Sequence, residues 1–184
     1  MTSSHPGSLC RGLPSGCSVR RAKPGDAKHV ADLLRGADRA EMEALEGRSA
    51  FDVLHGWMTS ASRVLLMRGE AMAIYGIVPC SLSCSCSAAE AATPWMAMAS
   101  TLGGDDLVDL LWLSRFQIDA WQRRWPRLLA VCDARNHFRR QWLDWLGFER
   151  MGRVDCFGAA GLPFDLHARL RDVAPASGVA GWAA

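Results

Sequence analysis

The part of the chain that most constrains its fold is a helix, a strand and a second helix that follow one another closely. Apolar residues at three- and four-residue steps predict a long helix from about Asp105 to Arg124, and Pro126 ends it. Residues 128–132 are all apolar and predict a strand, and Asn136 begins the next predicted helix, which runs to residue 146. The inner face of this helix is expected to carry Phe138, Trp142, Trp145 and Leu146. Strands lie before and after the long helix, so the sheet should be mixed, and parallel where that helix makes the crossover.

The remaining segments add strands and helices in the order expected of an α/β (α+β) protein. Three candidate helices follow the first strand. Asp26 can cap the first, which Gly36 ends; Asp38 can start the second, which Gly47 ends; and Ser49 can cap the third. Residues 80–93 are expected to form a loop rich in small residues. The predicted strands are residues 18–22, 64–67, 71–78, 94–99, 148–157 and 164–170, of which the second and third form a hairpin.

Length and composition indicate one domain with a flexible segment at each terminus. A chain of 184 residues is long enough to bury a single core. Residues 1–17 offer almost nothing to bury and are expected to form a flexible N-terminal arm. Residues 18–171 are expected to form the single domain, and the Ala- and Gly-rich residues 172–184 a flexible C-terminal tail.

Charge and hydropathy argue against two classes of partner. The formal net charge of +2 argues against a nucleic-acid-binding protein that is held by a general basic field. No apolar run approaches the ~18–20 residues needed to cross a bilayer, and the first residues do not resemble a signal peptide. A local group of arginines is interpreted as a solvated surface: Arg123, Arg124, Arg127, Arg135, Arg139 and Arg140.

The cysteines raise the question of a metal site. Cys80, Cys84 and Cys86 lie close together, and thiolates bind zinc well. Their spacing is not a paired CxxC framework, however, and no second cluster supplies the other ligands. We therefore expect a serine- and cysteine-rich loop without a metal, and reduced thiols in a cytoplasm.

Two segments resemble the GNAT acyltransferase fold. "VRRAKPGDAKHVADLL" (residues 19–34) is similar to the opening strand, turn and helix of that superfamily. "LLAVCDARNHFRRQWLDWLGFERMG" (residues 128–152) is similar to its strand, helix, Leu-Gly-Phe and strand. The resemblance implies a GNAT-like mixed central sheet of about six to seven strands flanked by helices.

A narrower resemblance covers about residues 18–170. The combination of "GADRAEMEALEG", "AIYGIVP", "PWMAMAS", "PRLLAVCDARNHFRRQWLDWLGF" and "GLPFDLHARL" resembles a family of short-tailed bacteriophage proteins. These are described as internal virion or virion-assembly proteins with a GNAT-like fold. The resemblance implies other phage virion or assembly proteins as partners, and a location in the virion or the host cytoplasm.

The resemblance also locates the expected cofactor loop. GNAT enzymes commonly bind the pyrophosphate of acetyl-CoA with backbone N–H groups at the start of the long central helix, in an Arg/Gln-x-x-Gly-x-Gly/Ala loop. Here Gly103 and Gly104 are adjacent, and the Gly-x-Gly spacing and the preceding basic residue are missing. We expect Asp105 and Asp106 to cap the helix themselves and to repel a polyanion. Gly103, Gly104 and Asn136 are therefore cofactor-binding candidates only if the protein is an acetyltransferase.

The groups that would catalyse acetyl transfer are also missing or altered. Leu143 stands where GNAT enzymes usually have a tyrosine that acts as the acid. The alternatives each have a simpler structural role: Tyr75 packs in the sheet, Cys132 is a small buried residue, and Glu70 and Glu90 are solvated. Asn136 either contacts the cofactor or caps the helix that it begins, and capping is favoured. The catalytic residues are thus unknown.

What remains is typical of an interaction protein. The chain has eight tryptophans, and an exposed aromatic patch among them would mark a protein interface. The charged helix of residues 38–46 lies where GNAT enzymes frame their acceptor site, and is either a docking face or a solvated one. The first hypothesis is a phage-encoded, non-catalytic GNAT-fold protein of the virion or its assembly, with no cofactor. The alternative is an acetyl-CoA-dependent N-acetyltransferase with an atypical active site.

Overall fold

The computed structural model describes residues 16–80 and 91–171. Most of the expected arm and the whole of the expected tail lie outside these ranges, as do Glu90, Cys84 and Cys86. The described residues form seven strands and five helices. In chain order they are β1 (Cys17–Arg21), α1 (Pro24–Leu33), α2 (Gly36–Glu46), α3 (Ala50–Trp57), β2 (Arg63–Met67), β3 (Glu70–Pro79), β4 (Ala91–Met98), α4 (Gly104–Gln122), β5 (Arg127–Asp133), α5 (His137–Trp145), β6 (Glu149–Phe157) and β7 (Leu162–Leu170).

The strands form one mixed sheet. Their order is β1-β2-β3-β4-β5-β7-β6. Neighbouring strands are antiparallel except β4 and β5, which are parallel because α4 carries the chain from one to the other as a crossover. The α+β class and the mixed sheet predicted from the sequence are confirmed.

Two helix starts differ from the prediction. The carboxylate of Asp26 accepts a hydrogen bond from the backbone N–H of Lys23 at 2.7 Å, so Asp26 lies in the first turn of α1 rather than at its cap. α2 likewise begins at Gly36, which places Asp38 in its first turn. In the first turn, both carboxylates still interact favourably with the positive end of the helix dipole. Ser49 caps α3 as predicted, because its side chain accepts a hydrogen bond from the backbone N–H of Asp52.

β4 begins earlier than the sequence indicated. Ala91 and Ala92 belong to this strand, although residues 80–93 were expected to form a loop. Alanine gives little strand preference, so the local sequence does not reveal the strand. Pairing with β3 defines it instead, through Val78 with Thr93 and Pro79 with Ala92.

The sheet separates two apolar clusters. α1, α2 and α3 cover one face, where Val30, Leu54 and Ile74 are fully buried. α4 and α5 cover the other face, around Leu110 and Leu128. No helix of the described residues is long and apolar enough to cross a membrane.

The tryptophans of α5 divide between the core and the surface. Trp142 is buried, as predicted for the inner face of this helix. Trp145 was also expected on the inner face, but it is 36% exposed. Three helical steps rotate the side chain by about 300°, which places Trp145 at the edge of the face that Trp142 defines.

Candidate functional site

The sheet opens between its two central strands. β4 and β5 pair at only two positions, Ala91 with Arg127 and Ala92 with Leu128. Both strands continue beyond these pairs without pairing to each other, while β3 pairs along β4 and β7 pairs along β5. Backbone groups on the facing edges of β4 and β5 therefore need other partners. We call this opening the β4–β5 wedge.

Arg139 of α5 lies in the wedge. Its Nη1 donates to the backbone carbonyl oxygen of Met96 on β4, at 3.4 Å. Its Nε lies 3.2 Å from Oε1 of Glu41 on α2, and the two side chains are only 16% and 6% exposed. Since α2 and α5 pack on opposite faces of the sheet, this ion pair spans the wedge from one face to the other. The interpretation of Arg139 as a solvated arginine was wrong.

Asn136 and Glu41 extend the ion pair into a buried polar network. The side-chain oxygen of Asn136 accepts a hydrogen bond from the Arg139 backbone N–H, which confirms the predicted cap of α5. Its side-chain nitrogen donates to Glu41 Oε2 at 2.9 Å and to Asp38 Oδ1 at 3.1 Å. Arg35 in turn holds Asp38, with a nitrogen–oxygen distance of 2.7 Å. Asn136 therefore joins the start of α5 to the carboxylates of α2.

Burial controls the proton equilibria of this network. Desolvation raises the pKa of Glu41 above its usual range, although Arg139 and Asn136 favour its charged form. Desolvation also raises the pKa of the Cys132 thiol, and the nearby negative charge of Glu41 raises it further. The Cys132 sulfur lies 3.7 Å from Glu41 Oε2. This thiol stays protonated near neutral pH, so it is not a nucleophile.

Cavities of different size lie on the two faces of the wedge. On the α2 side, a cavity of about 210 Å³ is lined by Glu41, Glu46, Trp57, Trp95 and Arg139, among others. On the α4 and α5 side only about 40 Å³ is free. A water molecule needs about 10–15 Å³ of such a cavity, so the smaller cavity holds a few waters at most.

Trp142 accounts for the narrowness of the second side. Its Nε1 donates to Oγ of Ser114 on α4 at 3.1 Å, and the indole lines the small cavity beside Leu143. The hydrogen bond joins α4 to α5 across the space in front of the wedge. Leu143 itself is 7% exposed and belongs to the core.

The start of α4 differs from the prediction. Gly104 has a φ of +54°, a left-handed conformation that favours glycine. No side chain of the described residues caps α4, so Asp105 and Asp106 do not cap the helix as expected. Asp106 instead pairs with Arg68 in the β2–β3 turn, with a nitrogen–oxygen distance of 2.6 Å. Two carboxylates still stand in the first turn and weaken its attraction for an anion.

The cofactor-binding candidates do not form one site. Gly103 is the N-cap residue of α4 and Gly104 is its first residue, whereas Asn136 belongs to the network around Glu41. No hydrogen bond or ion pair among residues 16–80 and 91–171 joins the two places. The structure brings together a different set of residues, in which Arg139 and Glu41 are central.

The other candidate residues behave as structural ones. Tyr75 is 3% exposed and packs 6.3 Å from Trp121 between ring centres, and burial raises its pKa to about 12. Cys132 is fully buried. The side chain of Glu70 is 59% exposed and lies 3.2 Å from His29. No group of three or more potential metal ligands occurs in residues 16–80 and 91–171.

Sequence reasoning missed Arg139 as a site residue, although one pattern pointed to it. Arg139 precedes Trp142 by three positions and Leu143 by four, so all three share the inner face of α5. A charged residue on an otherwise apolar face is buried only with a partner. The partner, Glu41, lies too far away in the sequence to be recognised.

Comparisons with solved structures identify the fold. A ribosomal-protein-S5-alanine acetyltransferase from Vibrio fischeri is 17% identical, with a TM-score of 0.60 over 86% of this chain and 95% of that one. A putative acetyltransferase from Salmonella typhimurium, solved with its cofactor acetyl-CoA, is 13% identical, with a TM-score of 0.65 over 90% of this chain and 100% of that one. An aminoglycoside acetyltransferase solved with coenzyme A is 15% identical, with a TM-score of 0.60 over 84% and 95%.

These structures show that the chain has the fold of the GNAT acetyltransferases. No family model matches the sequence. No curated protein matches it either. At these identities the likeness establishes the fold, and the activity has to be argued from the site.

Acetyl-CoA is the cofactor that this fold implies, and the residues present do not fit it. A cofactor bound at the start of α4 would have to pass its thioester through the wedge to reach the larger cavity, since the other strand pairs close the sheet. Arg139 already spans that opening, and its charge is held there by Glu41. Asp105 and Asp106 disfavour a diphosphate at the helix start as well.

Proposed function

We propose that this GNAT-fold protein does not catalyse acetyl transfer and acts through contacts with other proteins. The observation that carries the proposal is Arg139, whose side chain fills the β4–β5 wedge. Moving it out would leave Glu41 buried without its cation, and breaking a buried ion pair costs about 3–5 kcal/mol. A cofactor would have to supply that free energy before gaining any affinity.

The resemblance of residues 18–170 to phage proteins makes the proposal more specific. We propose an internal virion or virion-assembly component of a short-tailed bacteriophage, present in the virion or the host cytoplasm. Its partners would be other proteins of the particle. Mass spectrometry of purified virions tests this part, because a component of the finished particle gives peptides at a fixed stoichiometry to the capsid protein. A protein that serves assembly alone is found in the infected-cell lysate and in capsid precursors instead.

Specific observations favour acetyl transfer as the second candidate function. The wedge is present, and the larger cavity carries the carboxylates of Glu41 and Glu46, which suit an amine. No described side chain caps α4, so its first N–H groups remain available to an anion. The solved structures described above are named as acetyltransferases. This alternative requires Arg139 to leave the wedge when the cofactor binds.

Calorimetric titration with acetyl-CoA separates the two candidates. We expect no binding to the wild-type protein below about 1 mM, which corresponds to about −4 kcal/mol. Arg139→Ala opens the wedge, and Arg140→Ala on the same helix is the matched control. Micromolar binding to the wild type would overturn the proposal. Binding to Arg139→Ala alone would support it, since that result identifies the arginine as the obstacle.

A turnover assay completes the test. Release of free coenzyme A is followed over a panel of small amines and basic peptides, with the wild-type protein and a known acetyltransferase as positive control. We expect release at the rate of spontaneous hydrolysis. Amine-dependent release by the wild type would establish the second candidate function.

A further inference from the structure

α4 exposes a row of large apolar side chains. Val108, Trp112 and Phe116 are 50%, 62% and 54% exposed, and they occupy every fourth position of the helix. Trp145 of α5 stands beside them, with its ring 5.5 Å from that of Trp112 in an edge-on arrangement. We call these four side chains the α4 ridge.

The α4 ridge matches in size the largest apolar patch of a typical single domain, about 300–600 Å², which is often a functional surface. Aromatic side chains present about 150–250 Å² each, so the four together expose roughly 350 Å². Contiguous apolar patches of this size commonly mark an interaction site. Side chains four positions apart also form the ridges that interlock when two helices pack against each other.

Charged residues on both sides of Trp112 indicate which partner fits. Asp109 precedes Trp112 by three positions and Arg115 follows it by three. If a second α4 packs antiparallel around a two-fold axis at Trp112, Asp109 of each copy faces Arg115 of the other. The same operation places Val108 against Phe116, and the antiparallel helix dipoles attract.

The two charged groups are available for such contacts. Asp109 makes no side-chain hydrogen bond or ion pair within residues 16–80 and 91–171. Arg115 donates from Nη1 to the backbone carbonyl oxygen of Trp145 at 2.7 Å, and its guanidinium lies 5.3 Å from the centre of that indole. This contact holds the guanidinium at the border of the α4 ridge with further N–H groups free to donate.

We propose that the α4 ridge binds a second copy of this chain, with the two α4 helices antiparallel around Trp112. The inference rests on the proposed function, since it names one partner of a protein that acts by contact. The proposed function and the proposed dimer can fail separately. Binding of acetyl-CoA contradicts the proposed function, whereas a protein that stays monomeric contradicts the dimer. Stable interfaces bury about 800 Å² on each partner and the ridge supplies roughly half of that area, so we expect a weak dimer that dissociates on dilution.

Sedimentation velocity of the full chain tests the proposal, over about 1–200 µM and under reducing conditions that prevent crosslinking through Cys156. We expect a concentration-dependent dimer. Trp112→Glu should weaken it at least about tenfold, and Met151→Glu should leave it unchanged. Met151 is the matched control, because it is a similarly exposed apolar side chain, 56% exposed, and belongs to β6 rather than to α4 or α5. A wild type that stays monomeric throughout overturns the proposal, as does a dimer that survives Trp112→Glu or is dissociated by Met151→Glu.

A charge exchange tests the antiparallel arrangement. Asp109→Arg and Arg115→Asp each place like charges opposite each other and should weaken the dimer about tenfold. The double variant restores opposite charges at both contacts and should recover the wild-type affinity to within about threefold. A double variant that is weaker than either single one overturns the antiparallel pairing.

Discussion

Replacing Arg139 by methionine tests the role of the wedge ion pair directly. Methionine keeps much of the length of the side chain and removes its charge, which leaves Glu41 buried at 6% side-chain exposure without a cation. At pH 7 the carboxyl group escapes by taking up a proton. Against its ordinary pKa of 4.5 this costs about 3.4 kcal/mol, at about 1.4 kcal/mol for each pH unit.

The loss of stability should therefore depend on pH in a known direction. In Arg139→Met the folded-state pKa of Glu41 is raised further above the unfolded-state pKa. The carboxyl group is therefore protonated at no cost below the unfolded-state pKa, and the loss in the free energy of unfolding grows as the pH rises above it. Since burial already raises the pKa of Glu41 in the wild type, the wild type carries part of this cost, and the variant should be about 1–3 kcal/mol less stable than the wild type at pH 7 and closer to it at pH 5. Urea denaturation at both pH values measures the difference.

Two further variants make the result decisive. Glu41→Gln added to Arg139→Met removes the stranded charge, so the double variant should be more stable than Arg139→Met at pH 7 and should lack the part of the pH dependence that Glu41 contributes. Arg140→Met is the control on the same helix and should cost less than about 1 kcal/mol, because Asp165 keeps Arg150 and Arg153 as partners. An Arg139→Met variant within 1 kcal/mol of the wild type at pH 7, or equally destabilised at both pH values, would refute the reasoning.

Other measurements test the core and the missing acid. Trp142→Ala should cost about 3–5 kcal/mol through lost burial, a cavity and the broken hydrogen bond to Ser114, and an unchanged urea midpoint would contradict the packing of α5. Burial lowers the pKa of His167 below 6.5, so the folded state resists a proton that the unfolded chain accepts, and stability falls as the pH drops below 6.5. His167→Leu should make that decline shallower between pH 6.5 and 5, and an identical slope would contradict the assignment. Leu143→Tyr should restore no acetyl-CoA turnover and cost about 1–3 kcal/mol by overpacking a site that is 7% exposed, whereas turnover above background would show that the cofactor site is competent.

The local sequence determined most of the fold. Residues 128–132 predict β5 because every side chain is apolar, and the structure confirms a strand that is paired on one side along its length. Asn136 predicts the start of α5 because its side chain can satisfy a free backbone N–H, and it does so in the structure. Periodicity and capping depend on residues a few positions apart, so a single sequence contains them.

Only the tertiary structure decided the content of the site. Arg139 appeared to be one of several solvated arginines, and Glu41 one of several charges on an exposed helix, until the fold brought α2 and α5 together across the wedge. Asp106 does not cap α4 as expected, because it pairs with Arg68 of the β2–β3 turn, which is far away in the sequence. The environment of a charge depends on which distant groups surround it and exclude water, and that information does not exist in any local pattern.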